Sequence, residues 1–189
     1  MIYLASASPR RAELLRQIGV AFAVRAANID ESRLPDEPDQ EYVCRLARSK
    51  AEHVAKTIAD QQSSYTILAA DTAISVEGDI IGKPDDRAHC QCILQRLSGR
   101  QHQVLTAVAV VTPAGVEWCL SRNRIWFRPL SASEINLYCD IEEPMDKAGA
   151  YAIQGKAAIF VKHLEGSYSA VMGLPLYETA ELLRKVDAI

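Results

Sequence analysis

The first residues of the chain contain a strand-to-helix corner that restricts how the rest can fold. Residues 2–5 form a short apolar run that is long enough for a buried strand. Ser6, Ala7 and Ser8 form a small polar turn, and Pro9 has the residue type that helices favour at their first position, with Ser8 as the N-cap. A strand that leads directly into a helix predicts an α/β protein, and the order of the later elements supports the same fold class.

Two arginines, Arg10 and Arg11, follow in the first turn of this helix. The N-terminus of a helix is the positive end of its dipole, so two cations there are unfavourable unless an anion joins them. Free backbone N–H groups, the hydroxyls of Ser6 and Ser8, and two guanidinium groups would together bind a phosphate. The alternative is an exposed arginine pair on an ordinary helix.

Composition and charge exclude several classes of protein. The chain has 189 residues, a formal net charge of −3 and a pI near 5.8, whereas a general nucleic-acid-binding protein would carry a basic face. No apolar run is long enough to span a membrane, and no basic residue precedes the N-terminal apolar run as in a signal peptide. We therefore expect one cytoplasmic domain over residues 1–189, without a nucleic-acid or membrane partner. The five cysteines are odd in number and lack a C-x-x-C pair, so we expect them to be reduced.

Hydrophobic periodicity predicts the remaining elements. Helices are expected over residues 9–18, 41–58, 85–97 and 175–186, and another begins at Ser131 with a capping box to Glu134. Strands are expected over residues 21–26, 65–70, 102–112, 116–127 and 158–164, with a hairpin over residues 73–80.

Asp71 comes directly after the apolar run at residues 65–70, at the strand end where ligands collect in open α/β sheets. The alternative is an aspartate that only caps a turn. An aspartyl-phosphate mechanism of the haloacid-dehalogenase type would need a second aspartate two residues later, and that position holds Ala73. Asp71 is therefore a candidate metal ligand or general base.

Three other charged residues are candidates for the same site, and two of them have two possible interpretations. Lys50 falls on the apolar stripe of its helix, where a lysine either extends to the surface or points into a polar cleft. Glu31 lies in an acidic loop that is either simply solvated or, facing the arginine corner, holds a divalent metal. Lys83 follows the predicted hairpin, on the same side as Asp71 if that turn is tight.

The stretch at residues 142–155 has no clear period but concentrates polar chemistry, as functional loops often do. The chain contains no phosphate-binding P-loop, no dinucleotide-binding glycine motif and no serine-nucleophile elbow. What remains is a set of cations and acids from separate segments, the mixture that phosphoryl chemistry needs. The cations are Arg10, Arg11, Lys50, Lys83 and Lys147, and the acids are Glu31 and Asp71.

Four segments, in this order, resemble the Maf family of nucleotide pyrophosphatases. They are S-x-S-P-R-R at 6–11, A-A-D-T at 69–72, G-K-P at 82–84 and D-K-A-G-A-Y-A-I-Q-G at 146–155, and the resemblance runs from residue 3 to about residue 183. It implies a long twisted mixed sheet flanked by helices, with two lobes around a central cleft, similar to the inosine-triphosphatase-type architecture. It also implies a homodimer and a nucleoside triphosphate substrate. We expect Mg²⁺ or Mn²⁺ as the cofactor, because hard oxygen ligands and triphosphates select such ions.

The resemblance further implies hydrolysis of a nucleoside triphosphate to the monophosphate and pyrophosphate, with a housecleaning role. Asp71 matches the proton acceptor that activates water, and Glu31 and Asp71 are the acids near the metal. The implied phosphate-binding residues are Ser6, Ser8, Arg11, Lys50 and Lys83, and the positions that choose the base are Arg10, Thr72 and Gln154.

The loop that carries Gln154 is similar to that of the family branch acting on dTTP and UTP. One amide can accept from the N3–H of uracil or thymine and donate to O4, whereas cytosine presents the reverse pattern. We therefore expect a dTTP/UTP pyrophosphatase, with modified pyrimidine nucleotides as further substrates. Two alternatives stay open: a nucleotide-binding regulator of septum formation without significant turnover, and a metal-dependent phosphomonoesterase that would release orthophosphate.

Overall fold

The computed structural model describes all residues, 1–189. Its centre is a mixed seven-stranded sheet with the strand order β2-β1-β3-β5-β6-β7, and β4 pairs with β3 outside this path. The strands are β1 (Ile2–Leu4), β2 (Phe22–Val24), β3 (Thr66–Val76), β4 (Asp79–Ile81), β5 (Gln101–Thr112), β6 (Gly115–Phe127) and β7 (Val161–Glu165).

Six helices flank this sheet: α1 (Pro9–Gln17), α2 (Asp39–Ala59), α3 (Arg87–Leu97), α4 (Ala132–Cys139), α5 (Tyr168–Val171) and α6 (Leu176–Lys185). Short 3₁₀ helices cover Ala148–Ala150 and Lys156–Phe160. The predicted mixed sheet flanked by helices is confirmed. No helix has both the length and the apolar character that a bilayer crossing requires.

β1 pairs in parallel with β2 and with β3, whereas β3, β5, β6 and β7 are joined by antiparallel pairing. Successive residues of a strand face opposite sides of the sheet. On β3, Ala69 and Ala73 accordingly pack in the apolar core under α2, while Leu68 and Ala70 pack in the core under α1 and α6. A third core fills the space between α3, α4 and the other end of the sheet.

The register of β3 leaves a gap along one of its edges. The last residue of β1 pairs with Leu68, and pairing with β4 begins only at Ile74. On the opposite edge, β3 is paired with β5 without interruption from Ile67 to Ser75. Residues 69–73 of β3 therefore have no strand neighbour on one side, and this gap is where the cleft described below enters the sheet.

Three sequence predictions need correction. β3 does not end before Asp71 but continues to Val76, so Asp71 lies in the middle of a strand, near the level at which the neighbouring strand β1 ends. The strand expected over 158–164 begins only at Val161, because residues Lys156–Phe160 turn in a 3₁₀ helix. Cys90 and Cys139, both buried, form a disulfide between α3 and α4 rather than staying reduced.

Candidate active site

A cleft of about 530 Å³ opens at the gap in the sheet edge. It brings together every residue that the sequence predicted for the site, although these residues come from distant parts of the chain. They are Ser6, Ser8, Arg10, Arg11, Glu31, Lys50, Asp71, Thr72, Lys83, Lys147 and Gln154.

The strand-to-helix corner has the geometry of an anion site. α1 begins at Pro9, its first turn contains no acid, and the Ser8 side chain makes no capping hydrogen bond. The buried Ser6 hydroxyl accepts hydrogen bonds from the Ser8 N–H and from Arg11 Nη1, each at 3.2 Å. Because the helix N-terminus has no internal cap, its N–H groups and the Ser8 hydroxyl stay available to an anion in the cleft.

Lys50 points into the cleft and not to the surface. It lies on the buried face of α2, and only 8% of the residue is exposed. Its Nζ donates to Asp71 Oδ1 at 2.7 Å and lies 2.9 Å from Glu31 Oε1. One lysine thus holds two carboxylates together, which confirms the polar-cleft interpretation of this residue.

Asp71 and Thr72 are neighbours on β3, so their side chains leave the strand on opposite faces. Asp71 is directed to the side of α2, where Lys50 meets it, and Thr72 to the side of α1, where it accepts from Arg11 Nη2 at 3.2 Å. No protein group donates to Asp71 Oδ2. The gap in the sheet edge lets one ligand reach both faces at this point.

Arg11 is held by three hydrogen bonds and keeps two N–H groups free. Its Nε donates to the Gly173 carbonyl oxygen at 2.9 Å, in addition to the bonds to Ser6 and Thr72. Burial lowers the pKa of the Arg11 guanidinium, and Asp71 partly opposes this effect. Because the ordinary value is so high, the group stays charged and provides a fixed cation at the cleft.

The acidic loop is anchored so that it presents Glu31 to Lys50. The buried Glu37 carboxylate accepts from Arg45 Nε at 2.6 Å and from Arg45 Nη2 at 2.8 Å. The Tyr42 hydroxyl donates to the Glu31 carbonyl oxygen at 3.0 Å. These contacts tie the loop to α2, while 54% of the Glu31 side chain stays exposed.

The donor set of the cleft fits a hard divalent cation that arrives with a polyanion. No group of three or more His, Cys, Asp and Glu side chains is close enough to hold a metal. Glu31 and Asp71 supply two carboxylates, and Mg²⁺ in proteins is commonly bound by one or two carboxylates together with substrate phosphates and water.

The loop that carries Gln154 is held in place by hydrogen bonds to α4 and to the segment next to Lys83. The Glu143 carboxylate accepts from the Tyr138 hydroxyl at 2.8 Å and from the Lys156 N–H at 3.2 Å, and these bonds close the segment at its two ends. The Gly149 N–H donates to the Gly82 carbonyl oxygen at 2.9 Å, which joins the segment next to Lys83 to this loop. Gln154 itself is exposed and lines the cleft.

Sequence reasoning missed two contributors to the site, Gly173 and Thr106. Gly173 binds Arg11 through its carbonyl oxygen, and a backbone atom leaves no trace in the residue type. Thr106 is fully buried in β5 and bonds to Thr72. Threonine is common in strands, so its occurrence there carried no signal.

These features define an α/β protein whose cleft combines cationic groups that suit a polyanion with two carboxylates of its own, Glu31 and Asp71. Residues 1–186 match the family Maf, described as "Maf-like protein", and the chain belongs to this family. A protein of Nitrosospira multiformis named "dTTP/UTP pyrophosphatase" is 49% identical over 193 residues, covering 97% of this chain and 93% of the relative. A protein of Colwellia psychrerythraea with the same name is 49% identical over 183 residues, covering 96% of this chain and 86% of the relative.

A solved structure shares the fold. The Staphylococcus aureus Ham1 protein aligns over 98% of both chains with a TM-score of 0.56 and 13% sequence identity. At this identity the likeness concerns the fold alone.

Proposed function

We propose that this protein hydrolyses dTTP and UTP to the nucleoside monophosphate and pyrophosphate. The observation that carries the proposal is the pairing of Asp71 and Glu31 with Lys50 beside the arginine corner. Hydrolysis of a phosphoanhydride requires cations that stabilise the phosphate oxygens and a carboxylate that orients the attacking water. The cleft provides both. The full-length relatives named "dTTP/UTP pyrophosphatase" support the reaction and the substrates.

In this proposal, Asp71 is the general base. Lys50 occupies Oδ1 and fixes the carboxylate, so Oδ2 is the oxygen that accepts a proton from the attacking water.

The phosphate chain lies along the N-terminus of α1. The Ser8 hydroxyl, the uncapped N–H groups of α1 and the two free N–H groups of Arg11 bind its oxygens. Ser6 supports this site by holding Arg11, and Lys50 and Lys83 add positive charge from the other walls of the cleft. These groups act on developing negative charge without the need to rearrange.

Glu31 and Asp71 would hold a divalent cation, Mg²⁺ or Mn²⁺, in the cleft. When bound, such an ion neutralises the charge of the triphosphate.

Gln154, Arg10 and Thr72 are the residues assigned to base selection. The Gln154 amide offers both a donor and an acceptor to the O4 and N3–H edge that uracil and thymine share. Cytosine presents the reverse pattern, so selection against it requires that the Gln154 amide be held in one orientation when the base is bound.

A panel of nucleotides tests this proposal. With Mg²⁺ or Mn²⁺ present, dTTP and UTP should yield pyrophosphate at rates well above those of CTP, ATP, GTP and 7-methyl-GTP. If 7-methyl-GTP yielded pyrophosphate and dTTP and UTP did not, the assignment of uracil and thymine as the preferred bases would be wrong, whereas the pyrophosphate-releasing reaction would stand. Detectable binding without product from any nucleotide would replace the hydrolase with a regulator.

A further inference from the structure

Thr106 connects Arg11 to the backbone of α5 through a chain of hydrogen bonds. Its hydroxyl donates to the Ala170 carbonyl oxygen at 2.8 Å and lies 3.1 Å from the Thr72 hydroxyl. Thr72 in turn accepts from Arg11 Nη2 at 3.2 Å. Neither Thr106 nor Ala170 is exposed to solvent, so water does not compete for this bond.

The backbone register dictates this contact. Thr72 of β3 and Thr106 of β5 are directly paired in the antiparallel ladder, so their side chains leave the sheet on the same face and meet. Gly173, whose carbonyl oxygen accepts from Arg11 Nε, follows closely after Ala170 in the chain. Arg11 is thus attached twice to residues 170–173, the end of α5 and the two residues that follow it: directly at Gly173 and through the two threonines at Ala170.

The direction of the chain is determined by counting protons. A hydroxyl has one proton to donate, and Thr106 gives its proton to a carbonyl oxygen, which can only accept. Thr72 is therefore the donor to Thr106, and it is the acceptor for Arg11. In this state Thr72 has no proton left for the cleft and can meet a substrate only as an acceptor.

We infer that Thr106 is a positioning residue that orients Arg11 through Thr72. In this inference Thr72 acts on the substrate by holding Arg11 rather than by donating to the base, and this role replaces the base-selecting role proposed above for Thr72. This inference rests on the proposed function of the cleft, since Arg11 is taken to bind phosphate oxygens. If the Thr106 hydroxyl is removed, we expect phosphate groups to bind more weakly, by a factor that does not depend on the base of the nucleotide.

Three variants separate positioning from packing. Thr106→Val keeps the shape but removes the hydroxyl, Thr106→Ser restores it, and Thr179→Val is the control. Thr179 is also a fully buried threonine, but its hydroxyl has no hydrogen-bond partner and lies outside the cleft. Thr72→Val breaks the same chain at a half-buried position, and it serves if Thr106→Val fails to fold.

The affinity for inorganic tripolyphosphate and the KM values for dTTP, UTP and CTP are measured for each variant. We expect Thr106→Val to weaken tripolyphosphate binding about threefold to tenfold, the range for one hydrogen bond. The KM of every nucleotide should rise by a similar factor with the base ranking kept, and Thr106→Ser and Thr179→Val should match the wild type. A double variant with Thr72→Val should bind tripolyphosphate no more weakly than Thr72→Val alone, because Thr106 acts on Arg11 only through Thr72.

Wild-type tripolyphosphate affinity in a folded Thr106→Val protein would overturn the inference, as would a change in base ranking with unchanged tripolyphosphate binding. Failure of Thr106→Ser to restore binding would do the same and would assign the effect to packing. If the wild type released pyrophosphate from no nucleotide, the proposed function would fail, and the tripolyphosphate comparison would still decide the role of Thr106.

Discussion

At the scale of single residues, Asp71 is distinguished by having one oxygen bound and one free. Lys50 holds Oδ1 at 2.7 Å, and no protein group donates to Oδ2. A carboxylate with this asymmetry is oriented and can still accept a proton, which is what a general base needs.

Asp71→Asn should abolish most turnover and leave the fold intact. The amide cannot accept a proton from water at neutral pH, so we expect kcat to fall by about 10²-fold to 10⁴-fold. Lys50 keeps Glu31 as a partner at 2.9 Å, so the buried ammonium stays paired. Rates of pyrophosphate release and thermal unfolding curves check this, and substantial retained activity would remove Asp71 as the base.

Gln154→Glu should reduce the use of dTTP and UTP without a cost to stability. A carboxylate has no N–H to donate to O4, so kcat/KM for both nucleotides should fall by about tenfold or more. Gln154 is exposed, and surface substitutions change the free energy of unfolding by only about 0.5 kcal/mol. Gln95→Glu on the exposed face of α3 is the matched control, and an unchanged substrate panel for Gln154→Glu would show that Gln154 does not read the base.

Individual site residues were predictable because their charge conflicts with their surroundings. An arginine pair in a first turn and a lysine on an apolar stripe are both costly without a partner, and the structure supplies partners for Arg11 and Lys50 in the cleft. Thr106 and Gly173 could not be found in this way, because a buried threonine in a strand and a backbone carbonyl conflict with nothing.

At the scale of elements, the loop between α4 and β7 depends on a left-handed residue at Gly149. Its φ is +70°, and a Cβ at this position would lie 2.3 Å from Cδ1 of Ile74 on β3. Only glycine allows both the conformation and the close approach that brings the loop to the Lys83 segment.

Gly149→Ala should therefore destabilise the protein and weaken substrate binding. The left-handed conformation alone costs about 1–2 kcal/mol with a Cβ, and the displacement of Ile74 adds to it. Gly78→Ala is the control: Gly78 has φ +89° but nothing within 4 Å of the added carbon. Denaturant unfolding and the KM for dTTP should show a larger effect at Gly149, and equal effects of the two changes would contradict a packing role.

Most elements followed from local patterns, and the errors have local causes. The hairpin of β5 and β6 and the capping box of α4 were predicted because alternation and caps are short-range signals. β3 was ended too early because a charged residue in an apolar run looks like the end of a strand, whereas the gap in its edge lets Asp71 reach the cleft. The Cys90–Cys139 pair joins helices that are distant in sequence and carries no spacing motif.

At the scale of the whole molecule, a buried histidine makes the stability depend on pH. His102 of β5 is 2% exposed; its Nε2 lies 2.8 Å from the Tyr151 hydroxyl, and its Nδ1 has no partner. Burial lowers the pKa of His102 from 6.5 to about 4. The unfolded chain therefore binds more protons than the folded one between these two values.

It follows that the stability of the folded protein with a neutral His102 is highest above pH 6.5. This stability decreases as the pH falls towards 4, because the unfolded chain binds the proton more readily. Between pH 7 and pH 5 the free energy of unfolding should drop by about 2 kcal/mol on account of His102. Denaturant unfolding of His102→Gln should show a smaller drop over this interval, and the exposed control His53→Gln should keep the wild-type slope. An identical pH dependence in all three proteins would rule out a buried neutral His102.

The most direct test of the central claim is the identity of the products from dTTP. We would incubate the protein with dTTP and Mg²⁺ and follow the phosphorus signals by ³¹P NMR, with Asp71→Asn in parallel. The proposed function predicts dTMP and pyrophosphate in equal amounts, and almost no turnover by the variant. Release of orthophosphate with dTDP would contradict it, and so would the absence of any product from the wild type.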